Sequence, residues 1–441
     1  MLMDNIRWAI YMEQICSIPP DPLLSDDWLE KWLTRLNHRE PIASCWLTNQ
    51  TRDAYYKQGS VCEDYSAIKV PSMLIGGYAD GYTNSVKRTF DNIECPKKAI
   101  LGPWVHLYPH IATPKPLWGF CAEAVKWWDR WLKDAPPSDS SKFVAFIQKD
   151  VEVPCLNEVD GRWVENPVSG VETFYLSEGR LGDVKGQSTV EVCSSEVCGH
   201  QTITYFPMLP DHIPGDQSSD DKLSCNFETA PFEKAVDYVG RPRVTLCVAS
   251  DKPIANLYAR LCLVDRKERS RMLGYTGVNL NLSQNFSVVQ PLEVSTFKKV
   301  TFDFDILGES IQPGQRLRLA VSTAYFPQFI PNPEHTTITL DLRECQLDMP
   351  VLKSSVPLSE DIPAVSDQKL PSFIMRKPAS FSRTSEVNEL GELTVKTTST
   401  SGEKEFTSHG LVTELINEET NTISQNDPST AKLHAVWKAR W

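Results

Sequence analysis

Two short, unbroken apolar runs organise the first third of the chain: Met73-Leu74-Ile75, which stops at Gly76-Gly77, and Ala99-Ile100-Leu101, which stops at Gly102-Pro103. Runs of this kind with a helical stretch between them predict buried parallel strands of a βαβ unit. Upstream, residues 3–16 predict a helix with Ile6, Ile10 and Cys16 near one face. A second helix is expected after a Ser25 cap, with Asp26 and Asp27 in its first turn and Arg35, His38 and Arg39 in its last, each charge matching the helix dipole. Trp28, Leu29, Trp32, Leu33 and Leu36 give that helix one broad apolar face, expected to pack in a core between helices. Residues 50–70, with Tyr55, Tyr56 and Tyr65, read as a polar and aromatic connection. After a loop broken by Pro109, Pro114 and Pro116, a helix is expected over about 117–133, with Phe120, Ala124, Trp127, Trp128 and Trp131 facing inward as packing residues.

From about residue 140 the period changes to two. Val244, Leu246 and Val248 alternate with polar neighbours, and so do Leu257 to Leu263, Val300 to Ile306, Leu317 to Val321 and Ile338 to Leu342. Repeated half-buried strands with scarcely any helix signal predict a β-sandwich. Residues 350–385, holding Pro350, Pro357, Pro363, Pro371 and Pro378, read as a surface strap. In the tail, Leu393 and Val395 hint at a strand, and Leu433, Ala435, Trp437, Ala439 and Trp441 alternate up to the final residue, which suggests loss of chain at that end.

Composition narrows the picture. The 441 residues suffice for two or three domains, and 41% hydrophobic with 23% charged residues is globular usage. A net charge of −12 argues against nucleic acid and anionic membrane surfaces as partners. Asp4, Arg7 and Glu13 interrupt the apolar stretch in residues 1–20, against a signal peptide or membrane span there. Twelve cysteines without a C-x-x-C pair read as reduced thiols of a cytoplasmic protein; the spacing of Cys193 and Cys198 suits neither zinc nor redox chemistry. His106 and His110 have H-x-x-x-H spacing, but Pro109 spoils the helix a metal pair would need, so no metal and no cofactor is expected.

The candidate chemistry lies just past the two apolar runs. Asp80 follows the first, within Tyr78-Ala79-Asp80-Gly81-Tyr82, and His106 follows the second. Loops beyond the carboxyl ends of parallel strands are where α/β sheets place reactive groups. An acid and then a histidine in that order is the rear two-thirds of a Ser–Asp–His triad, with His106 as base and Asp80 as the acid that orients it.

The strings Gly76-Gly77-Tyr78-Ala79-Asp80-Gly81-Tyr82 and Gly102-Pro103-Trp104-Val105-His106, then Glu123 and Lys126 to Lys133, resemble the CocE/NonD serine hydrolases, relatives of Xaa-Pro dipeptidyl-peptidases and cocaine esterase. The resemblance implies a triad acid at Asp80 and a base at His106, with a nucleophile in an upstream G-x-S-x-x-G elbow. This chain has no such elbow: Ser17, Ser25, Ser44, Ser60 and Ser66 precede Asp80, and none sits between glycines. The expectation is therefore an N-terminally truncated hydrolase, inactive as given. The fold class expected is α/β plus all-β: a helical cap remnant over 1–66, the C-terminal part of an α/β-hydrolase domain over 67–136, a jelly-roll β-sandwich of galactose-binding-like topology over 137–350, and a Pro-rich strap with a β-rich extension over 351–441. The implied partner is a small acyl ester, amide or peptide substrate, and a homodimer is among the implied assemblies. The alternative is a non-catalytic binding or assembly protein built on a hydrolase remnant. An open sheet edge beside the first strand would favour aggregation.

Overall fold

A computed structural model of the chain describes residues 3–20, 23, 25–133, 141–155, 157–202, 207–208, 212–365 and 373–441. Pro371 and the expected boundary at 136–137 lie outside the described residues. Four helices come first: α1 (Met3–Cys16), α2 (Trp28–Asn37), α3 (Ile42–Thr48) and α4 (Ala54–Lys57). The α2 cap is Asp27, with no side-chain capping bond, and the Ser25 hydroxyl turns to the Asp27 carboxylate; the expectation of a Ser25 cap is corrected on that ground. The apolar face of α2 is not a core either, since none of its residues is buried and Leu29 and Leu33 are each 48% exposed. An amphipathic pattern specifies a face and not the partner that covers it. Residues 50–70 are less irregular than expected, because Asp53 caps α4 by accepting from the Tyr55 N–H at 2.9 Å.

The expected βαβ unit is present: β1 (Ser72–Gly77), α5 (Thr83–Asn92) and β2 (Lys97–Gly102), with Ser72 opposite Lys97 and Gly77 opposite Gly102 in a parallel pair. Lys97 closes the end of α5 by donating to the Phe90 and Ile93 carbonyls at 2.6 Å, a cation at the negative end of the helix dipole. The apolar run of β2 is explained by burial on both faces. Ala99 and Leu101 pack with Val86, Phe143 and Ile147 on one side, and Ile100 packs with Trp104, Trp118 and Val144 on the other. Among the described residues β1 pairs with β2 alone, so its far edge is open.

Helix α6 (Phe120–Leu132) follows the proline loop. Its Glu123, 3% exposed, receives Lys98 of β2 at 2.6 Å and pins the helix to the sheet. Trp127 is buried but Trp128 is 55% exposed, a correction to the inward face expected for it: 128 lies a residue round the helix from the side that meets the sheet. The next strand, β3 (Ser141–Lys149), pairs parallel with β2 over 141–145 and antiparallel with β4 (Asp160–Ser177) over 144–149. One hydrogen-bonded sheet therefore runs on from the parallel strands into the alternating ones.

That sheet continues through β5 (Arg180–Gly182), β6 (Thr189–Val192), β7 (Cys225–Glu228), β8 (Val236–Gly240), β9 (Arg243–Ser250) and β10 (Asn256–Val264). A four-residue helix, α7 (Ser218–Asp221), precedes β7. Then come β11 (Ser270–Asn279), β12 (Lys298–Asp303), β13 (Leu307–Ile311), β14 (Arg316–Ser322), β15 (Ile338–Asp341) and β16 (Gln346–Pro357). The strand order is β11-β10-β14-β7-β5-β4-β3-β13-β8-β16-β9-β15-β6, and a further β4–β16 pairing curls the sheet on itself. The period-two residues singled out in the sequence fill one core, including Val244, Leu246, Leu257, Leu261, Leu319 and Leu340.

The strap is in part regular. Pro350 and Pro357 belong to β16, whose ladder to β4 slips twice between Leu352 and Val356, and only the segment after it crosses the surface as a strap. There the Pro363 carbonyl accepts from the Gly119 N–H at 3.0 Å, beside the start of α6. The tail forms its own sheet of six strands, β17 (Phe373–Met375), β18 (Ser380–Val387), β19 (Glu392–Thr400), β20 (Lys404–Phe406), β21 (Leu411–Ser424) and β22 (Asp427–Arg440). No helix among the described residues is long and apolar enough to cross a membrane.

Candidate active site

Asp80 and His106 meet because the turns after β1 and β2 are knitted together. The Tyr78 N–H donates to the Gly102 carbonyl at 2.9 Å and the Ala79 N–H to the Trp104 carbonyl at 3.1 Å. The approach requires glycine at 77: a Cβ there would lie 1.9 Å from the Trp104 carbonyl oxygen. Asp80 Oδ1 accepts from the Tyr82 N–H at 2.9 Å, an Asx turn that fixes the carboxylate. The Trp104 indole, 1% exposed, donates to the Pro116 carbonyl at 2.8 Å, and the His106 N–H donates to the Pro207 carbonyl at 2.8 Å. The loop that carries the imidazole is thus held at both ends.

His106 Nδ1 stands 3.0 Å from Asp80 Oδ2. A carboxylate only accepts, so Nδ1 carries the proton and Nε2 is the atom with a lone pair. The hydrogen bond to Asp80 raises the His106 pKa above its ordinary value, against an opposing effect of partial burial. A raised histidine contributes stability that is fully present below its unfolded pKa of about 6.5 and is lost as pH rises through the folded value. Asp80→Asn is expected to lower the His106 titration midpoint, read from the imidazole ring protons by NMR. The stability gap between wild type and variant is expected to be widest on the acid side and to close on the alkaline side; a midpoint that does not move would contradict the pairing.

Three cavities have one or both of these side chains in their walls. One of about 700 Å³ has both side chains together with Trp104, Tyr108, Phe120 and Trp128, beside the open edge of β1. A second of about 370 Å³ joins His106 and Tyr82 to Arg7 and Trp8 of α1 and to Arg383, Glu419 and Trp437 of the tail sheet. The third, of about 130 Å³, has Asp80 with Tyr78, Asp305 and Glu309; burial pushes the Asp305 carboxyl up to about 6. In the second cavity Arg7 Nε and Glu419 Oε2 are 2.8 Å apart, with Glu419 only 7% exposed, and burial lowers the Arg383 guanidinium to about 10. The sequence reading gave none of Arg7, Arg383 and Glu419 a place at the site, since no local motif links positions that far apart. His110 stacks on Phe120 at 5.8 Å, and among the described residues no three His, Cys, Asp or Glu side chains converge on a point that could hold a metal.

With that geometry in hand, comparisons with known proteins bear on it. Residues 4–108, which include both Asp80 and His106, match the family model of the X-Pro dipeptidyl-peptidase (S15 family). Residues 158–363 match that of the X-Pro dipeptidyl-peptidase C-terminal non-catalytic domain. Both stretches are thus similar to domains of X-Pro dipeptidyl-peptidases. A putative Xaa-Pro dipeptidyl-peptidase from Rhodopirellula baltica is 25% identical over 138 residues, 30% of this chain and 22% of that protein. Among solved structures, the aminopeptidase of a marine sediment Thaumarchaeota archaeon superposes with a TM-score of 0.57 at 15% identity, over 73% of this chain and 62% of that one. An α-amino acid ester hydrolase gives 0.56 at 18% identity, over 74% and 62% of the two chains. A CocE/NonD family hydrolase from Staphylococcus aureus gives 0.53 at 13%, also over 74% and 62%. These structures are similar in fold. The chain thus spans 62% of each solved relative's length and matches 22% of the curated one's.

Proposed function

We propose that this chain supplies the base and the orienting acid of a serine hydrolase that cleaves acyl ester, amide or peptide bonds, and that the nucleophilic serine is not among its residues. The observation that carries the reading is the His106 Nδ1 to Asp80 Oδ2 bond at 3.0 Å, on walls shared by cavities of substrate size. In this reading Nε2 takes the proton of an attacking hydroxyl and returns it to the leaving group, while Asp80 holds the ring and stabilises its charged form. Peptides with a penultimate proline are the substrates that the name of the curated relative suggests. Helices α1 to α3 act as a cap remnant over 1–66, residues 67–136 as the rear of the hydrolase domain, 137–350 as a jelly-roll support and 351–441 as an extension whose sheet completes the cavity beside His106.

Among the residues lining the three cavities, Ser399 is the one serine. It lies inside β19, between Phe381 and Asn417 of the neighbouring strands, so its backbone is in a ladder on both sides. No strand-to-helix turn presents its hydroxyl or offers amides to an oxyanion. A fluorophosphonate probe is therefore expected to leave the 441-residue chain unlabelled. Appending a segment with a strand and a G-x-S-x-x-G elbow ahead of it is expected to bring labelling and ester hydrolysis, which His106→Asn then lowers on the order of 10⁶-fold. Labelling of the chain alone, at Ser399 or elsewhere, overturns the missing nucleophile; hydrolysis that survives His106→Asn overturns the role of the pair.

A further inference from the structure

Away from Asp80 and His106, a second histidine stands between a thiol and a buried carboxylate. β6 and β15 are antiparallel, with Val192 opposite Ile338. Cys193 follows the end of the first strand and His335 precedes the start of the second, so the ladder brings together side chains 142 positions apart. Cys193 Sγ lies 3.1 Å from His335 Nε2, and His335 Nδ1 lies 2.9 Å from Glu196 Oε1. The thiol and the carboxylate bond opposite nitrogens of one ring, which makes a relay and not a chelate.

The surroundings hold this relay in place at both ends. Ser194 and Thr323 exchange bonds, the Ser194 N–H to Thr323 Oγ1 at 2.9 Å and the Thr323 N–H to Ser194 Oγ at 3.3 Å. The Glu196 N–H donates to the Gln425 carbonyl at 3.0 Å, and the Thr337 N–H to Asp251 Oδ1 at 2.9 Å. Glu196 is 2% exposed, and its Oε2 has no hydrogen-bond partner among the described residues. Burying a carboxylate with one oxygen unsatisfied costs stability, so the His335 contact is what that group is placed for. Cys193, at the other end, is exposed.

We propose that Cys193, His335 and Glu196 form a second nucleophilic site, which takes the acyl group of a thioester or activated ester onto the Cys193 sulfur. The carboxylate accepts from Nδ1–H, which leaves Nε2 to accept the Sγ proton. The sulfur adds to the acyl carbon, the bond from that carbon to the leaving sulfur or oxygen breaks, and the leaving thiol or alcohol departs with the proton from Nε2. The products are S-acyl Cys193 and a free thiol or alcohol, with no change of oxidation state.

The chain holds its own controls, because Cys45 and Cys62 are exposed thiols on α3 and just after α4. The test treats the full chain with S-phenyl thioacetate at pH 7 and follows acetylation of each cysteine by peptide mass spectrometry. Acetylation of Cys193 is expected at least about tenfold faster than at Cys45, since a histidine-paired thiol outruns a solvated one, and faster than at Cys62, whose sulfur has only the Arg52 guanidinium at 3.5 Å beside it. His335→Asn is expected to remove that advantage and leave Cys45 and Cys62 unchanged, with the melting temperature reporting that the fold persists. Wild-type Cys193 reacting no faster than Cys45 overturns the proposal without recourse to any variant, and so does an advantage that His335→Asn does not diminish.

Discussion

Gly77→Ala is expected to destabilise the chain by about 1–3 kcal/mol and to disorder the contact between Asp80 and His106. The added methyl would sit 1.9 Å from the Trp104 oxygen, 2.6 Å from its carbonyl carbon and 2.9 Å from its Cα, all backbone atoms that no rotamer change can move. Relief must come from parting the turns after β1 and β2, and that breaks the Ala79 to Trp104 bond that sets the distance between acid and base. A shift of 1 Å in such a pair can cost on the order of 100-fold in rate. Thermal melting and the His106 NMR titration together check the result: the midpoint is expected to fall toward an unpaired histidine's. Gly59→Ala is the matched control, because a Cβ at 59 meets nothing within 4 Å. A Gly77→Ala chain that melts like wild type would show the two turns to be independent.

Arg260→Met is expected to cost roughly 3–5 kcal/mol, the scale for removing one partner of a buried charge network. Arg260 is 1% exposed and lies 3.0 Å from Asp221 Oδ1 and 3.6 Å from Asp220 Oδ2. Asp220 in turn meets His200 at 2.8 Å and accepts from the Gly199 and Gln201 amides at 3.1 and 3.0 Å, while Asp221 meets Arg318 at 2.7 Å. Burial pushes the Asp220 carboxyl up, yet its bonds to His200 and to the cations outweigh that and hold it below the usual carboxylate range. Without the guanidinium two carboxylates remain side by side in the interior. The melting temperature is expected to fall by roughly 6–20 °C, and Arg180→Met, on the surface of β5, is expected to leave it unchanged. Arg383 donates to the His200 and Thr202 carbonyls at 2.8 and 2.7 Å, so the loss is expected to loosen the tail sheet as well.

What the sequence made legible was whatever a short window decides. Continuous apolar runs meant strands, buried on both faces at β2 and only half-buried at β1, and the ends of those strands marked Asp80 and His106. Alternation picked out β9, β10, β12, β14 and β15 because each has one face in the core. Long-range pairing was beyond such windows. Nothing in residues 141–149 says that they run parallel with β2 and then β13 along one edge and antiparallel with β4 along the other. Two prolines in β16 argued for a strap, whereas Pro350 pairs with Val171 in the regular ladder to β4 and Pro357 ends the strand past the slips. The apolar stripe of α2 is a stripe, but pattern alone could not reveal that Leu29 and Leu33 stay exposed while Trp32 meets Trp441. Cys193, His335 and Glu196 carry no spacing rule at all, since two strand ends bring them together.

The wall of the cavity next to His106 joins residues translated far apart. Arg7 pairs with Glu419 across 412 positions, and the Gln14 amide donates to the Lys438 carbonyl across 424. At about 5–20 residues per second, a ribosome needs roughly 20–80 s to deliver β21 after α1 has emerged. During that interval α1 lacks its partners in the tail, and Tyr11 is without the Trp437 ring that it meets at 6.0 Å in the finished fold. Closure of the cavity therefore waits on synthesis of the tail, and a chain stalled before β21 presents His106 with one side of its chamber unbuilt.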